Sequence, residues 1–196
     1  RGSGRGRPAL PGGLRAFICV ASLFGLANTT YMLFLLYALR FISPPRGLDS
    51  LVFAAALYVL FNVIYALLSL PSGALSDRVG RKKVIALGYL VFALTCLGFT
   101  STSLASSIPV AVGLFCLYGA SKALIDGTQR AYASDLAPPE GRGYALGVFH
   151  TSIGLASLAS GAIVGLLWDL LGVAWAFSFA AALSALSALL LLALCR

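Results

Sequence analysis

The chain predicts an all-α integral membrane protein whose six transmembrane helices form two inverted three-helix repeats. Three observations carry that expectation. The 196 residues are 60% hydrophobic and only 10% charged, whereas soluble domains average about 45–50% apolar and about 25% charged. Six apolar runs are each long enough to cross about 30 Å of hydrocarbon. Finally, Gly-x-Leu-x-Asp-x-x-Gly occurs twice with identical internal spacing, as Gly73, Leu75, Asp77 and Gly80 and, 92 positions on, as Gly165, Leu167, Asp169 and Gly172.

The six runs extend from Ala16 to Leu39, Leu51 to Leu75, Val84 to Ser103, Ile108 to Gln129, Tyr144 to Trp168 and Val173 to Leu194. None shows the alternating polarity of a barrel strand, so each must satisfy its backbone within a helix. Before them, residues 1–13 form a linker rich in Gly, Arg and Pro, with no apolar core of a signal peptide. Residues 14–196 form the membrane domain. The chain begins at Arg1 and its one methionine is Met32, inside the first run, which predicts a fragment of a longer translation product. Between the runs lie a Pro44, Pro45 turn, the first glycine motif, a Ser/Thr loop from Ser101 to Ser107, and Pro138, Pro139.

Charge orients the repeats. The first motif continues into Arg81, Lys82 and Lys83, and the second into Val173, Ala174 and Trp175. An odd number of spans per repeat puts equivalent loops on opposite sides of the bilayer, and only the cytoplasmic one collects Lys and Arg. That assignment places Arg1, Arg5, Arg7, Arg15, Arg81, Lys82, Arg142 and Arg196 inside, and Arg40 and Arg46 outside. Both termini are then cytoplasmic, with the plasma membrane as the expected location. The net charge of +8 is explained by topology and anionic headgroups, so nucleic acid is not expected as a partner.

Polar residues mark the helices that face a cavity. Tyr58, Asn62, Tyr65 and Ser69 make one stripe on the second span, and Tyr118, Lys122, Asp126 and Arg130 make one on the fourth. The fifth carries His150, Gly154, Ser157 and Gly161 on one face, and the first concentrates Asn28, Thr29, Thr30 and Tyr31 near its middle. Spans three and six lack such residues and are expected to be lipid-facing supports. Gly147, Gly154, Gly161 and Gly165 predict close approach of another helix backbone.

Lys122 is the costliest residue to bury, at about 2.5–3.5 kcal/mol on an insertion scale. Asp126, one turn on, can neutralise it. A carboxylate whose proton affinity depends on that lysine and on water access can couple proton flow to a conformational change; the alternative is a static pair fixing helix packing. His150 can relay protons near neutral pH or serve as polar packing. The expected substrate and proton cavity is therefore Asn28, Tyr31, Asn62, Tyr65, Lys122, Asp126 and His150. The cysteines Cys19, Cys96, Cys116 and Cys195 show no ligand spacing and are read as buried small hydrophobes. No metal or other cofactor is expected.

At the inner rim, Asp77, Arg78, Arg81, Arg130, Asp135, Glu140 and Arg142 gather both signs of charge. Asp77 follows a helix C-terminus, where the macrodipole disfavours an anion. A basic side chain or another helix's N-terminus must offset it, as a latch between conformations does; a solvated charged rim is the alternative.

These residues resemble the major facilitator superfamily, whose signature loop reads G-x-L-[AS]-D-R-x-G-R-[RK]. Gly73, Leu75, Ser76, Asp77, Arg78, Gly80, Arg81 and Lys82 match it at each position, and the segment from Gln129 to Gly147 is similar to the family's fourth-to-fifth helix junction. The resemblance implies one six-helix half of a transporter, with a cytoplasmic gate motif that includes Gly73 and Gly80 and is braced by Asp77, Arg78 and Arg81. The basic start, the end just after the last span, and the lack of G-x-x-x-G-P on span five favour the C-terminal half.

The implied function is secondary active transport of a small solute by alternating access, with proton-coupled efflux one mode open to it. The partners are the lipid bilayer, the solute, and the missing N-terminal half or a second copy. The rival from another class is a non-transporting scaffold or truncated product that needs a partner half. An enzyme is not expected. Asp126, Gly127 and Arg130 only partly match the D-G-x-x-A-R start of lipid-headgroup phosphotransferases, and the several carboxylates of metal-assisted transfer are missing.

Overall fold

The computed structural model describes residues 10–28 and 31–194. Within them the chain forms α1 (Gly12–Ala27), α2 (Tyr31–Phe41), α3 (Ser50–Val79), α4 (Arg81–Thr100), α5 (Thr102–Ala105), α6 (Ile108–Leu136), α7 (Arg142–Leu171) and α8 (Val173–Leu194), with a 3₁₀ turn at Pro139–Gly141. No strand occurs among the described residues. The expectations placed on Arg1, Arg5, Arg7, Thr29, Thr30, Cys195 and Arg196 lie outside them.

All six expected spans are helical and apolar enough to cross a membrane. Their ends differ from the sequence reading for local reasons. α1 closes at Ala27, with the Asn28 N–H donating to the Phe24 carbonyl at 2.7 Å, and the first apolar run is shared between α1 and α2. α3 starts where the Asp49 carboxylate accepts from the Leu51 N–H at 2.7 Å, an N-cap that satisfies an orphan donor. It runs through Pro71 for 30 residues, about 45 Å at 1.5 Å per residue, longer than the hydrocarbon is thick. The expected Ser/Thr loop holds a one-turn helix, α5.

The repeated glycine motif forms the same joint twice. Gly80 ends α3 at φ +103°, and Gly172 ends α7 at φ +95°, a region where a side chain is strained. The Gly80 N–H donates to the Ser76 carbonyl at 3.0 Å, and the Gly172 N–H to the Trp168 carbonyl, in the corresponding place, at 3.1 Å. Each joint reverses the chain into the next helix without an intervening loop.

Helix packing follows the repeat. α1 packs on α7 and α8, while α6 packs on α3 and α4. Exchanging spans one to three with spans four to six maps each of these contacts onto another, and maps the α4–α8 contact onto itself. This is the arrangement of two inverted three-helix units around a pseudo-two-fold axis.

An aromatic cluster lies where the units meet. Phe34 stacks on Tyr118 at 4.3 Å between ring centroids and sits edge-on to Phe99 at 5.2 Å, which in turn stacks on Phe177 at 5.3 Å. α4 buries Ile85, Tyr89, Phe92, Cys96 and Phe99 and exposes Leu87, Leu90, Leu94 and Leu97. It is thus a bracing helix with one outward leucine face. The supports expected in spans three and six are more deeply packed within this chain than α3 and α7, which are the least buried of the six.

Two glycine and cysteine expectations are corrected. A Cβ at Gly147, Gly154, Gly161 or Gly165 would meet nothing within 4 Å, so among the described residues no helix backbone closes on them. Close approach occurs instead at Gly119, where a Cβ would lie 2.7 Å from the Phe61 carbonyl oxygen, and at Gly25, where it would lie 3.0 Å from Ala156 Cβ. Among the cysteines, Cys96 is buried and Cys116 half-buried, whereas Cys19 lies on an exposed face of α1.

Candidate functional site: an ion pair between two cavities, and a bridged rim

α1, α2, α3, α6 and α7 enclose an open cavity of about 460 Å³ lined by Asn28, Tyr31, Phe61, Tyr118, Lys122, Gly154, Ser157 and Leu158. A second, of about 250 Å³, is lined by Asp126, Gln129, Arg130, Phe149, His150 and Ile153. The two communicate chemically through one contact. Lys122 Nζ lies 3.1 Å from Asp126 Oδ1, both side chains being partly buried. A helical turn separates the two residues along α6, so the cation faces one cavity and the anion the other.

Most of the residues expected at the cavity are brought together. Asn28, Tyr31 and Lys122 line the first cavity, and Asp126 and His150 the second. Tyr65 projects from α3 beside Asp126 and Arg130. Asn62 stands apart: its Nδ2 donates to the Tyr58 carbonyl on its own helix at 2.8 Å, and it lines neither cavity. Arg130, expected at the rim, belongs to the second cavity, where its Nε donates to the Asp126 carbonyl at 3.1 Å.

The aromatic floor is where sequence reading was incomplete. Phe61 stacks on Tyr118 at 4.5 Å and 20°, and Tyr31 lies 5.2 Å from Tyr58. Tyr118 lay on the Lys122 stripe and was recoverable from it, but Phe61 carries no polar signal. Gln129 was also missed as a site residue. Its buried side chain donates to the Tyr89 hydroxyl at 2.7 Å, while Ser184 of α8 donates to the Tyr89 carbonyl at 2.7 Å. The second cavity's wall is thereby tied through α4 to α8. Gln129 lies off the charged stripe of α6, and its partner on α4 is 40 residues away in the chain, so no local pattern marked the pair.

At the basic end, Arg81 at the start of α4 holds two carboxylates. It lies 2.8 Å from Asp135 of α6 and 3.5 Å from Asp77 of α3. Asp77 lies in the last turn of α3, against its macrodipole, and Arg81 at the N-terminus of α4 supplies the offset. Lys82 Nζ donates to the Leu192 carbonyl at 2.9 Å, satisfying one of the orphan acceptors at the end of α8. Gly73 lies within α3, two turns before its end, and Gly80 is the joint itself. Arg78, Glu140 and Arg142 surround this rim without an ion pair among the described residues.

No group of three or more His, Cys, Asp or Glu side chains able to hold a metal occurs among the described residues. The larger cavity is within the usual range of about 300–1,000 Å³ for small-molecule sites, with an aromatic ring, an amide and one member of a charge pair on its wall.

Six membrane-length helices in two inverted units, with a cavity that holds a lysine and a charge-bridged rim, define a helical membrane protein. The comparisons agree. The sequence pattern of the Major Facilitator Superfamily matches residues 17–196, and the chain belongs to that family. It is 39% identical over 183 residues to an uncharacterized MFS-type transporter of Methanocaldococcus jannaschii, covering 93% of this chain and 45% of that protein. An MFS-type transporter of Mycobacterium tuberculosis is 29% identical over 131 residues, 67% of this chain and 22% of its own length. An uncharacterized protein of Mycobacterium bovis is 28% identical over 132 residues, 67% of this chain and 31% of its own. The chain spans less than half the length of these relatives. No solved structure matches it.

Proposed function

We propose that the chain is one six-helix half of a secondary active transporter, moving a small solute by alternating access around the two adjoining cavities. The observation that carries this reading is the Lys122–Asp126 pair, 3.1 Å apart within a membrane-length helix and divided between two cavities. Intramembrane ionisable residues are expensive and mark solute or ion paths. A pair with one member in each cavity is suited to be opened by whichever cavity is occupied.

The second half is the remainder of a longer chain or a second copy. The inside placement of Arg81, Lys82 and Arg142 supports cytoplasmic termini, and the plasma membrane is the location proposed with it. Arg81, bonded to α3 and α6 at once, acts as a gate brace that forms in one state and parts in the other. Asp126 is the proposed proton carrier, with His150 lining the same cavity, and proton-coupled export is the mode to test first.

The test is proton flux linked to solute gradients in proteoliposomes, with the chain alone and with a second half supplied. Asp126→Asn is expected to abolish coupled flux. Wild-type rates in that variant across a pH series remove Asp126 from the coupling, and absence of flux for every solute class in both preparations removes the transport reading.

A further inference from the structure

The charges of the site are distributed unevenly. Lys122 is the one charged residue among those lining the larger cavity, while the carboxylate that pairs with it lines the smaller one together with Arg130 and His150. Across both cavities a single carboxylate faces two permanent cations. A cationic solute entering the larger cavity would meet an ammonium and no anion. A neutral solute could accept from the ammonium but would bring no charge to replace that of Asp126. An anionic solute exchanges one carboxylate for another at the same Nζ, and an ammonium with three donors can hold both during the exchange.

The rest of the cavity suits a flat apolar body. Phe61 and Tyr118, buried and stacked on each other at 4.5 Å, back the cavity as an apolar wall, and the half-exposed Tyr31 offers the open ring. Aromatic faces of this kind pack well on other planar groups. Asn28 completes the wall with a buried Oδ1 that has no hydrogen-bond partner among the described residues. Since the amide's O and N are assigned by their surroundings, this side chain can turn an N–H to an acceptor placed in the cavity. On release from Lys122, the Asp126 carboxylate still has Tyr65 and Arg130 beside it, so the exchange does not strand a bare charge.

We infer that the solute is an organic anion with a planar apolar body, which binds Lys122 in the aromatic cavity and displaces Asp126 from it. This names the solute class for the transport site proposed above and rests on that reading.

The test uses the intact chain in lipid nanodiscs and three radiolabelled probes of one shape: 1-naphthoate, 1-naphthylmethanol and 1-naphthylmethylammonium. The acid is expected to bind about tenfold or more tighter than the alcohol, as for gain of a charge-assisted contact, with the amine weakest. Lys122→Met should lower 1-naphthoate affinity by about ten- to a hundred-fold, Lys122→Arg should keep the preference for the anion, and Asp126→Asn should raise affinity by removing the competing carboxylate. Because Lys122→Met alone leaves a carboxylate without its partner and can misfold, the double variant Lys122→Met, Asp126→Asn is measured as well, with monodispersity checked. It should show the same loss.

Equal binding of acid and alcohol, stronger binding of the amine, no binding of 1-naphthoate, or full affinity in the double variant overturns the inference. Its failure is separable from that of the transport reading. Binding of 1-naphthoate without flux in proteoliposomes leaves the ligand class standing and removes transport; flux of a cationic solute without 1-naphthoate binding does the reverse.

Discussion

Arg81, the first residue of α4, lies 2.8 Å from the carboxylate of Asp135 near the end of α6, and the same guanidinium reaches Asp77 of α3 at 3.5 Å. One side chain thus ties the end of α6 to the joint between α3 and α4. Its carboxylate partners are well exposed, so the contribution to stability is small, about 0–1 kcal/mol per pair. Its value lies in registering the ends of α3, α4 and α6 relative to one another.

The swapped pair Arg81→Asp with Asp135→Arg should recover more of the folded state's thermal stability than either single reversal, each of which sets like charges together. A double-mutant cycle in detergent measures the coupling. If the swap behaves as the sum of its singles, the two side chains are not coupled and the brace is incidental.

Gly80→Ala and Gly172→Ala should destabilise to similar extents, each by about 1–3 kcal/mol. A Cβ at either position meets nothing within 4 Å, yet both have positive φ, so the cost is conformational and not steric. Thermal unfolding of the two variants is the check; a neutral result at one glycine alone would mean that the two joints are not physically equivalent.

Gly119→Ala and Gly154→Ala should separate by mechanism. The first places a methyl 2.7 Å from the Phe61 carbonyl oxygen and forces α6 away from α3, whereas the second meets open space. Overpacking of this kind costs about 1–3 kcal/mol, so only the α6 variant should lower the melting temperature. In the cavity, a shift of Phe61 against Tyr118 should appear as weaker solute binding in the same variant.

Gln129→Leu and Ser184→Ala each remove one hydrogen bond to Tyr89, from α6 and α8 respectively. Each should cost about 0.5–1.5 kcal/mol. Their effects should be less than additive in the double variant, since both bonds hold the same residue in place. Strict additivity in chemical denaturation would show that Tyr89 does not link the two helices energetically.

Composition alone was enough for the membrane, since a chain with so few charges cannot clothe a soluble surface. Span number followed from the length of the apolar runs, and the inverted repeat from two glycine motifs that the structure shows to be the same backbone turn. Lys122 and Asp126 were legible because charge in an apolar helix is conspicuous, and i, i+4 spacing fixes that they meet. Phe61 was not legible: an aromatic residue in an apolar span carries no mark that separates a cavity floor from lipid-facing or core packing. The Gly147, Gly154, Gly161 and Gly165 stripe was legible as a small-residue face, but not what would cover it.

Local chemistry therefore determined which segments are helices, where they turn, and which carry charge, because hydrophobicity, glycine φ and helical spacing act over a few residues. Tertiary packing decided that Lys122 opens into one cavity and Asp126 into the next, that Arg81 bridges three helix ends, and that Gln129 is anchored through Tyr89 to α8. Each of those relations joins residues on different helices or sides of a helix. Their distances depend on how α1, α3, α4, α6 and α7 pack, and no spacing along the chain encodes that.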